Sequence, residues 1–490
     1  MATGTTQQMF LAGRWQASAS GETFEATSPA TGELIGTVPN GDRTDAQRAI
    51  TAAREAADGW ARLTAFERAA KMSAVGDLIE ARRDELARTL TLDQGKPLRA
   101  EAFGEVDELI EYWRMAAEDA KRLGGELPNS FSPGKRVMLV RRPRGVVGVI
   151  SPWNWPYTMP AELIAPALAC GNAVVWTPAP STAVCAVALA QCVADADLPP
   201  GVFNLVTGPG PVVGDEIARN PGTDGVAFIG STATGRLVAQ AAAGKAALLE
   251  MGGNGPLVVM DDADVETAVE ATLTACYLCA GQSCTAGERI LVHRAVHDEF
   301  VERLARRVTE HILLGDPFDE ATTMGPVNNE PVAAKMDDHV GDAVERGASV
   351  VSGGSRATGF ATSLYWEPTV LTHVPADARI AVEETFGPVA PVVTIDSLEQ
   401  AIAMTNASPY GLLAAIFTAD LGGGLEFADR VRTGWVNINE SSNYWEPQLP
   451  FGGRAGTDSG IGRVGGANVM HAFTELQTVV LTPGRSSGTI

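Results

Sequence analysis

Gly225-Val-Ala-Phe-Ile-Gly-Ser-Thr-Ala-Thr-Gly235 decides how this chain is built. The apolar run 225–229 has the length and composition of a strand buried on both faces. It ends at Gly230, and a helical pattern follows over 233–243. Strand, glycine turn and helix in that order predict one unit of a parallel sheet covered on both sides. The preceding segment has the same order, with 202–206 running into Thr207-Gly-Pro-Gly-Pro-Val-Val-Gly214 and a helical stretch over 212–220. Glycine lets backbone approach a phosphate closely, and a helix N-terminus offers free N–H groups. Two such turns side by side make a pyrophosphate cradle, although neither matches the G-x-G-x-x-G fingerprint with its later acidic residue.

The same alternation extends in both directions. Runs 146–150 and 173–176 read as further buried strands, with helices over 161–170 and 182–196. Beyond Glu250 it resumes, with strands at 256–260, 289–293, 349–352, 391–395 and 434–438, and helices at 264–278 and 297–313. Two α/β domains with a boundary near 250 are therefore expected, since 490 residues exceed one ordinary core. Ahead of the first strands, 45–60, 65–91 and 100–123 are long amphipathic helices that pack outside the sheet. Segments 135–142 and 475–481 are strand-like, flanked by Pro or Gly, and belong to neither sheet pattern. The last eight residues, Pro-Gly-Arg-Ser-Ser-Gly-Thr-Ile, read as a loose tail.

Composition excludes several classes. A net charge of −22 repels nucleic acid phosphates and favours solubility. No run of 18 apolar residues appears, and the N-terminus has neither a basic start nor an apolar core, so a cytoplasmic chain without membrane span or signal peptide is expected. Six cysteines in 490 residues do not make a disulfide scaffold. Cys185 and Cys192 fall in an apolar helix, as small hydrophobes do. Cys276, Cys279 and Cys284 have no fourth Cys or His at ligand spacing, so no metal is expected.

The chemistry is concentrated in three short segments. Cys284, in Ala280-Gly-Gln-Ser-Cys-Thr-Ala286, is a thiol among small residues that can attack a carbonyl. Glu250, in Leu248-Leu-Glu-Met-Gly-Gly-Asn254, is a carboxylate that can activate a water to clear the covalent product. Asn154, in Pro152-Trp-Asn-Trp-Pro156, is a neutral donor suited to a developing oxyanion.

Together these segments resemble the aldehyde dehydrogenase superfamily, and the resemblance spans almost the whole chain. Phe228-Ile-Gly-Ser-Thr-Ala-Thr-Gly235 is similar to that family's Phe-Thr-Gly-Ser-Thr-x-x-Gly turn, and Glu384-Thr-Phe-Gly-Pro388 to its Glu-x-Phe-Gly-Pro. Tyr410-Gly-Leu412, Gly434-Trp-Val-Asn-Ile-Asn439, and Pro450-Phe-Gly-Gly453 with Ser459-Gly-Ile-Gly-Arg463 resemble further family segments, with a long spacer at 454–458.

The resemblance implies a Rossmann-like cofactor domain (8–125 and 146–250), a second α/β catalytic domain (251–445) and a small β oligomerisation arm (126–145 and 474–490). It implies a homodimer or homotetramer. It assigns Cys284, Glu250 and Asn154 to catalysis, and Trp153, Thr177, Gly210, Gly214, Gly230, Ser231, Glu384 and Phe386 to the dinucleotide. Trp155, Tyr157, Tyr444 and Trp445 would line the substrate tunnel, where the absence of Lys and Arg ranks dicarboxylic semialdehydes below aromatic, long-chain or amino aldehydes.

Three departures stand out. Thr177 and Pro180 replace the usual Lys and Glu at the adenosine ribose, which leaves NAD and NADP both open, with NAD preferred because 177–182 holds no basic residue. Cys279 replaces a usual Asn and Leu163 a usual Lys, both members of proton networks near the site. Retention of Glu250 favours hydrolysis over transfer of the acyl group to coenzyme A, and intact catalytic residues argue against a non-catalytic member of the fold.

Overall fold

The computed structural model describes residues 5–482. Its first large sheet has eight strands, in the order Gly460–Ile461, Ala246–Glu250, Gly225–Ile229, Val146–Ile150, Ala173–Thr177, Phe203–Leu205, Met9–Leu11 and Arg14–Gln16. The five from Ala246–Glu250 to Phe203–Leu205 are parallel. Val146–Ile150 has Ala173–Thr177 on one side and Gly225–Ile229 on the other, so strand order reverses there. In open parallel sheets such a switch point opens a crevice at the carboxyl ends of the strands.

A second sheet of seven strands runs Ser349–Ser352, Thr369–Thr372, Val389–Ile395, Arg289–His293, Pro256–Val259, Leu413–Phe417 and Trp435–Ile438. Only its first pair is antiparallel. The carboxyl end of Ala246–Glu250 leads directly to the amino end of Pro256–Val259. Both sheets have strands buried along their whole length, which explains their unbroken Val, Ile, Leu and Ala runs.

Several sequence expectations are refined. The helix expected over 65–91 is two, Ala65–Ala81 and Arg83–Gln94, broken where Arg82 leaves helical geometry. That expected over 100–123 begins as a π turn, Leu98–Ala102, before Phe103–Arg122. The stretch 212–220 is a π turn, Gly210–Gly214, followed by a short helix, Asp215–Arg219. Segments 135–142 and 475–481 pair with each other, as the antiparallel ribbon Arg136–Pro143 and Thr474–Leu481. Residues 483–490, the expected tail and the end of the expected arm, lie outside the described residues.

The C-terminal segment returns to the first sheet. Gly460–Ile461 pairs antiparallel with Leu249 and Glu250. Ser459 is buried beside it; its carbonyl accepts from Met251 N (3.2 Å), and its hydroxyl donates to Gly252 O (2.7 Å) and accepts from Gly411 N (3.0 Å). This clamp is the physical content of the Ser459-Gly-Ile-Gly motif. Gly460 sits at φ 116°, and a Cβ there would collide with the Leu249 carbonyl. Gly460→Ala should therefore lower stability by more than about 1 kcal/mol, read as a fall in the denaturation midpoint, because alanine at positive φ is strained and displaces the strand holding Glu250.

Candidate active site

Cys284 lies in the segment leading to the strand Arg289–His293, and that segment is held in an unusual conformation. Cys279, Ala280 and Gly281 adopt φ of 53°, 52° and 71° in succession. Gly281 packs so tightly on the Gly387 backbone that a Cβ would overlap it. Left-handed residues in sequence cost energy and persist only where surroundings impose them. Here the surroundings are Gln282, whose amide donates to Cys279 O (2.7 Å) and accepts from Asn328 N (2.8 Å), and Glu101, which accepts from Cys279 N (3.0 Å). On either side of the thiol, the hydroxyls of Ser283 and Thr285 reach the Asn443 side-chain oxygen at 3.0 and 2.5 Å. Among the six free cysteines only Cys284 is partly open; the others are buried.

Two cavities meet at that thiol. Met159, Ile229, Glu250 and Cys284 line both. One cavity, of about 450 Å³, is walled by Trp155, Trp445, Tyr112 and Phe451. The other, of about 590 Å³, is formed by Trp153, Gly230, Ser231, Glu384 and Phe386 together with Asn154 and Lys335. Its walls come from the carboxyl ends of Val146–Ile150, Gly225–Ile229 and Ala246–Glu250, the crevice that the strand order opens.

Asn154 is buried, and its Nδ2 donates to Gln282 O at 3.0 Å. An amide nitrogen carries two hydrogens. One locks the side chain to the Cys284 loop, and the other is left for a ligand.

Glu250 is also buried, and its Oε1 has no partner. Burial pushes its pKa up to about 8, with Glu384 adding to the rise and the Cys284 thiol opposing it. Burial and the neighbouring carboxyls of Glu250, Glu384 and Glu162 push the thiol itself well above the usual cysteine range. Burial and the neighbouring carboxyls therefore disfavour the thiolate, and a cation bound nearby would favour it.

The second cavity fits a dinucleotide. Glu384 accepts from Gly253 N at 2.8 Å, and its Oε1 lies 2.7 Å from where a Cβ on Gly252 would stand, so only glycine admits the carboxylate there. Phe386, at φ 64°, meets Trp153 edge-on with ring centroids 5.6 Å apart. Glu288 fixes this strained turn by accepting from Thr385 N (2.6 Å) and Phe386 N (2.8 Å). Ser231 caps the helix Thr232–Ala241, whose N-terminus faces the cavity. Thr177, Gly210 and Gly214 stand away from this cavity. Thr177 ends its strand with a buried, unpartnered hydroxyl, and its methyl lies 3.8 Å from the Cβ position of Gly214.

Of the expected tunnel residues, Trp155 and Trp445 line the aromatic cavity, and Tyr157 and Tyr444 do not. Tyr157 points into the core, donating to Leu86 O at 3.1 Å, because its backbone N–H is drawn to the buried Glu105 (3.0 Å). Tyr444 is 45% exposed and its hydroxyl donates to Glu446. Cys279, in place of the usual Asn, accepts from Gln94 Nε2 (3.4 Å) and donates to Asn154 O (3.6 Å). Leu163 is core. Sequence reading missed Tyr112, Glu162, Lys335 and Glu288. No short motif marks Glu162 or Glu288, although they lie only eight residues past Asn154 and four past Cys284; Tyr112 and Lys335 reach the site through the packing of distant helices.

A sequence profile for the aldehyde dehydrogenase family matches residues 15–479. The glutarate-semialdehyde dehydrogenase of Pseudomonas aeruginosa is 39% identical over 97% of this chain and 97% of its own. A crystal structure of an Escherichia coli NADP-dependent enzyme superposes with a TM-score of 0.94 at 37% identity, covering 97% of this chain and 98% of that one. Betaine aldehyde dehydrogenase of Staphylococcus aureus in complex with NAD+ gives a TM-score of 0.94 at 35% identity, over 99% of this chain and 97% of that one. The chain belongs to the aldehyde dehydrogenase family, and is an oxidoreductase that takes an aldehyde as substrate and NAD or NADP as oxidant.

Proposed function

We propose that Cys284, Asn154 and Glu250 carry out a hydrolytic oxidation of an aldehyde to a carboxylic acid. The observation that supports this most is that one thiol and one unpartnered carboxyl are shared by an aromatic cavity and a glycine-lined cavity. The aldehyde enters the aromatic side, and the Cys284 sulfur adds to its carbonyl carbon. The free N–H of Asn154 and the backbone N–H of Cys284 then cup the developing oxyanion, each such donor being worth about 2.7–4 kcal/mol. When bound against Glu384, Phe386 and Ser231, the oxidised dinucleotide supplies the hydride acceptor that turns the adduct into a thioester. Glu250 takes a proton from water, and the resulting hydroxide releases the acid from sulfur. Retention of a buried base beside the thiol supports water, rather than coenzyme A, as the acyl acceptor.

NAD is the preferred oxidant in this reading. Thr177 and Pro180 present no cation to a 2′-phosphate, so kcat/KM should be higher with NAD than with NADP. Residues 8–125 and 146–250 would bind it, and 251–445 would carry the nucleophile. Among the described residues the ribbon Arg136–Pro143/Thr474–Leu481 joins no other strand, its Arg136–Pro143 edge meeting only Glu126 at Leu139, and it exposes Leu476 and Val480 at 50% and 54%. Such an edge is a template for another copy, so a homodimer or homotetramer is proposed, in the cytoplasm. Among the described residues no helix is long and apolar enough to cross a membrane.

Cys284→Ala should abolish aldehyde-dependent reduction of the dinucleotide, and full retained turnover would remove sulfur from the mechanism. Glu250→Gln should release about one equivalent of reduced dinucleotide per site and then stall, as followed by stopped-flow absorbance. Because the base acts only when ionised and its pKa is raised to about 8, acid release in single turnovers should rise roughly tenfold per pH unit below 8 and level off above it. Replacing both Leu476 and Val480 by Asp should lower the mass measured by light scattering.

A further inference from the structure

The aromatic cavity has an acid that the chemistry above does not use. Glu162, on the helix Thr158–Ala169, lines it and is only 6% exposed, yet its Oε1 has no hydrogen-bond partner. Across the cavity the Tyr112 hydroxyl is likewise buried and unpartnered. A buried polar atom without a partner costs roughly 1–3 kcal/mol and is rare unless a ligand satisfies it.

Nothing lining the cavity opposes this acid. Its walls contain Glu162 and Glu250 and no Lys, Arg or His. The Lys96 ammonium, which lies over the Trp155 ring, is committed to Glu105 at 2.6 Å. The other walls are aromatic, with the Tyr112 and Trp445 centroids 6.4 Å apart and those of Trp445 and Phe451 6.2 Å apart. π-Faces beside a buried carboxyl attract a positive charge through the ring quadrupole and through Coulomb attraction that burial strengthens.

Building on the aldehyde dehydrogenase reading, we propose that Glu162 makes this cavity selective for aldehydes bearing an ammonium or quaternary ammonium group, held between its carboxylate and the rings of Tyr112 and Trp445. Burial, Glu250 and Glu108 hold the empty Glu162 well above the usual carboxylate range. An arriving cation offsets all three and favours the ionised form, whereas a neutral aldehyde leaves it a neutral acid. A second carboxylate on the substrate finds no cation and meets acidic groups instead. Semialdehydes of dicarboxylic acids are therefore disfavoured.

The test is steady-state kinetics of the full-length enzyme, with saturating dinucleotide, on three aldehydes. These are (trimethylammonio)acetaldehyde, its neutral isostere 3,3-dimethylbutanal, and succinate semialdehyde. The cationic aldehyde should exceed the neutral one in kcat/KM by about 30-fold, about tenfold from contact with the buried carboxylate and about threefold from the rings. Succinate semialdehyde should be the poorest. In Glu162→Gln the cationic-to-neutral ratio should fall to within about threefold of unity. Choline should inhibit oxidation of 3,3-dimethylbutanal competitively in the unaltered enzyme, a readout that does not depend on the variant folding. A ratio of one or less, or no inhibition by choline, overturns the inference and leaves the aldehyde reading intact. If none of the three is oxidised with either dinucleotide, and the unaltered enzyme is indistinguishable from Cys284→Ala, the reading beneath it fails.

Discussion

Withdrawal of carboxyl groups from water around one thiol is the constraint on which this site depends. Glu250, Glu288, Glu384 and Glu162 are all raised in pKa first of all by burial. Each is kept in place by a different compensation. Glu288 receives two backbone N–H groups and Glu384 one, with Lys335 nearby. Glu250 and Glu162 each keep an oxygen unsatisfied. Glu288 is scaffold, whereas Glu384, Glu250 and Glu162 face the cavities. The same electrostatics disfavour the thiolate of Cys284, and a positive charge bound beside it would oppose that effect.

Position depends on backbone strain held by packing. The three left-handed residues before Cys284 turn the loop toward the crevice, and Gly281 can lie against the Gly387 backbone only because it has no side chain. Phe386 carries a similar strain, absorbed by the bonds from Glu288. Lys96 and Glu105 form a buried pair whose free carboxylate oxygen collects the first N–H groups of the helix bearing Glu162. Breaking one partner of such a pair is far more damaging than never having it.

Much of the first sheet was legible because its strands are short apolar runs ended by glycine turns. Gly225–Ile229 and Val146–Ile150 have the expected limits. Leu413–Phe417 and Thr369–Thr372 were not read despite flanking Pro and Gly, since the first is rich in Ala and Leu and the second only four residues long, and neither pattern separates strand from helix. The break at Arg82 was invisible because helical periodicity continues across it. At the site, Cys284, Glu250 and Asn154 were legible through the short motifs that surround them. Tyr157 looked like Trp155 two residues earlier, but its ring turned into the core, where its hydroxyl reaches Leu86 O. Glu162 stands just past the Asn154 motif, and Tyr112 on a helix remote in sequence; no local pattern says that the two meet at the thiol.

The return of Ser459 and Gly460 to the strand of Glu250 has a consequence for the order of events during synthesis. The nucleophile and the base are both translated well before the residues that clamp the base in register. A nascent or C-terminally clipped chain would thus possess every reacting group and still lack a competent centre. Maturation of the enzyme waits on a stretch translated 175 residues after its nucleophile (459 − 284).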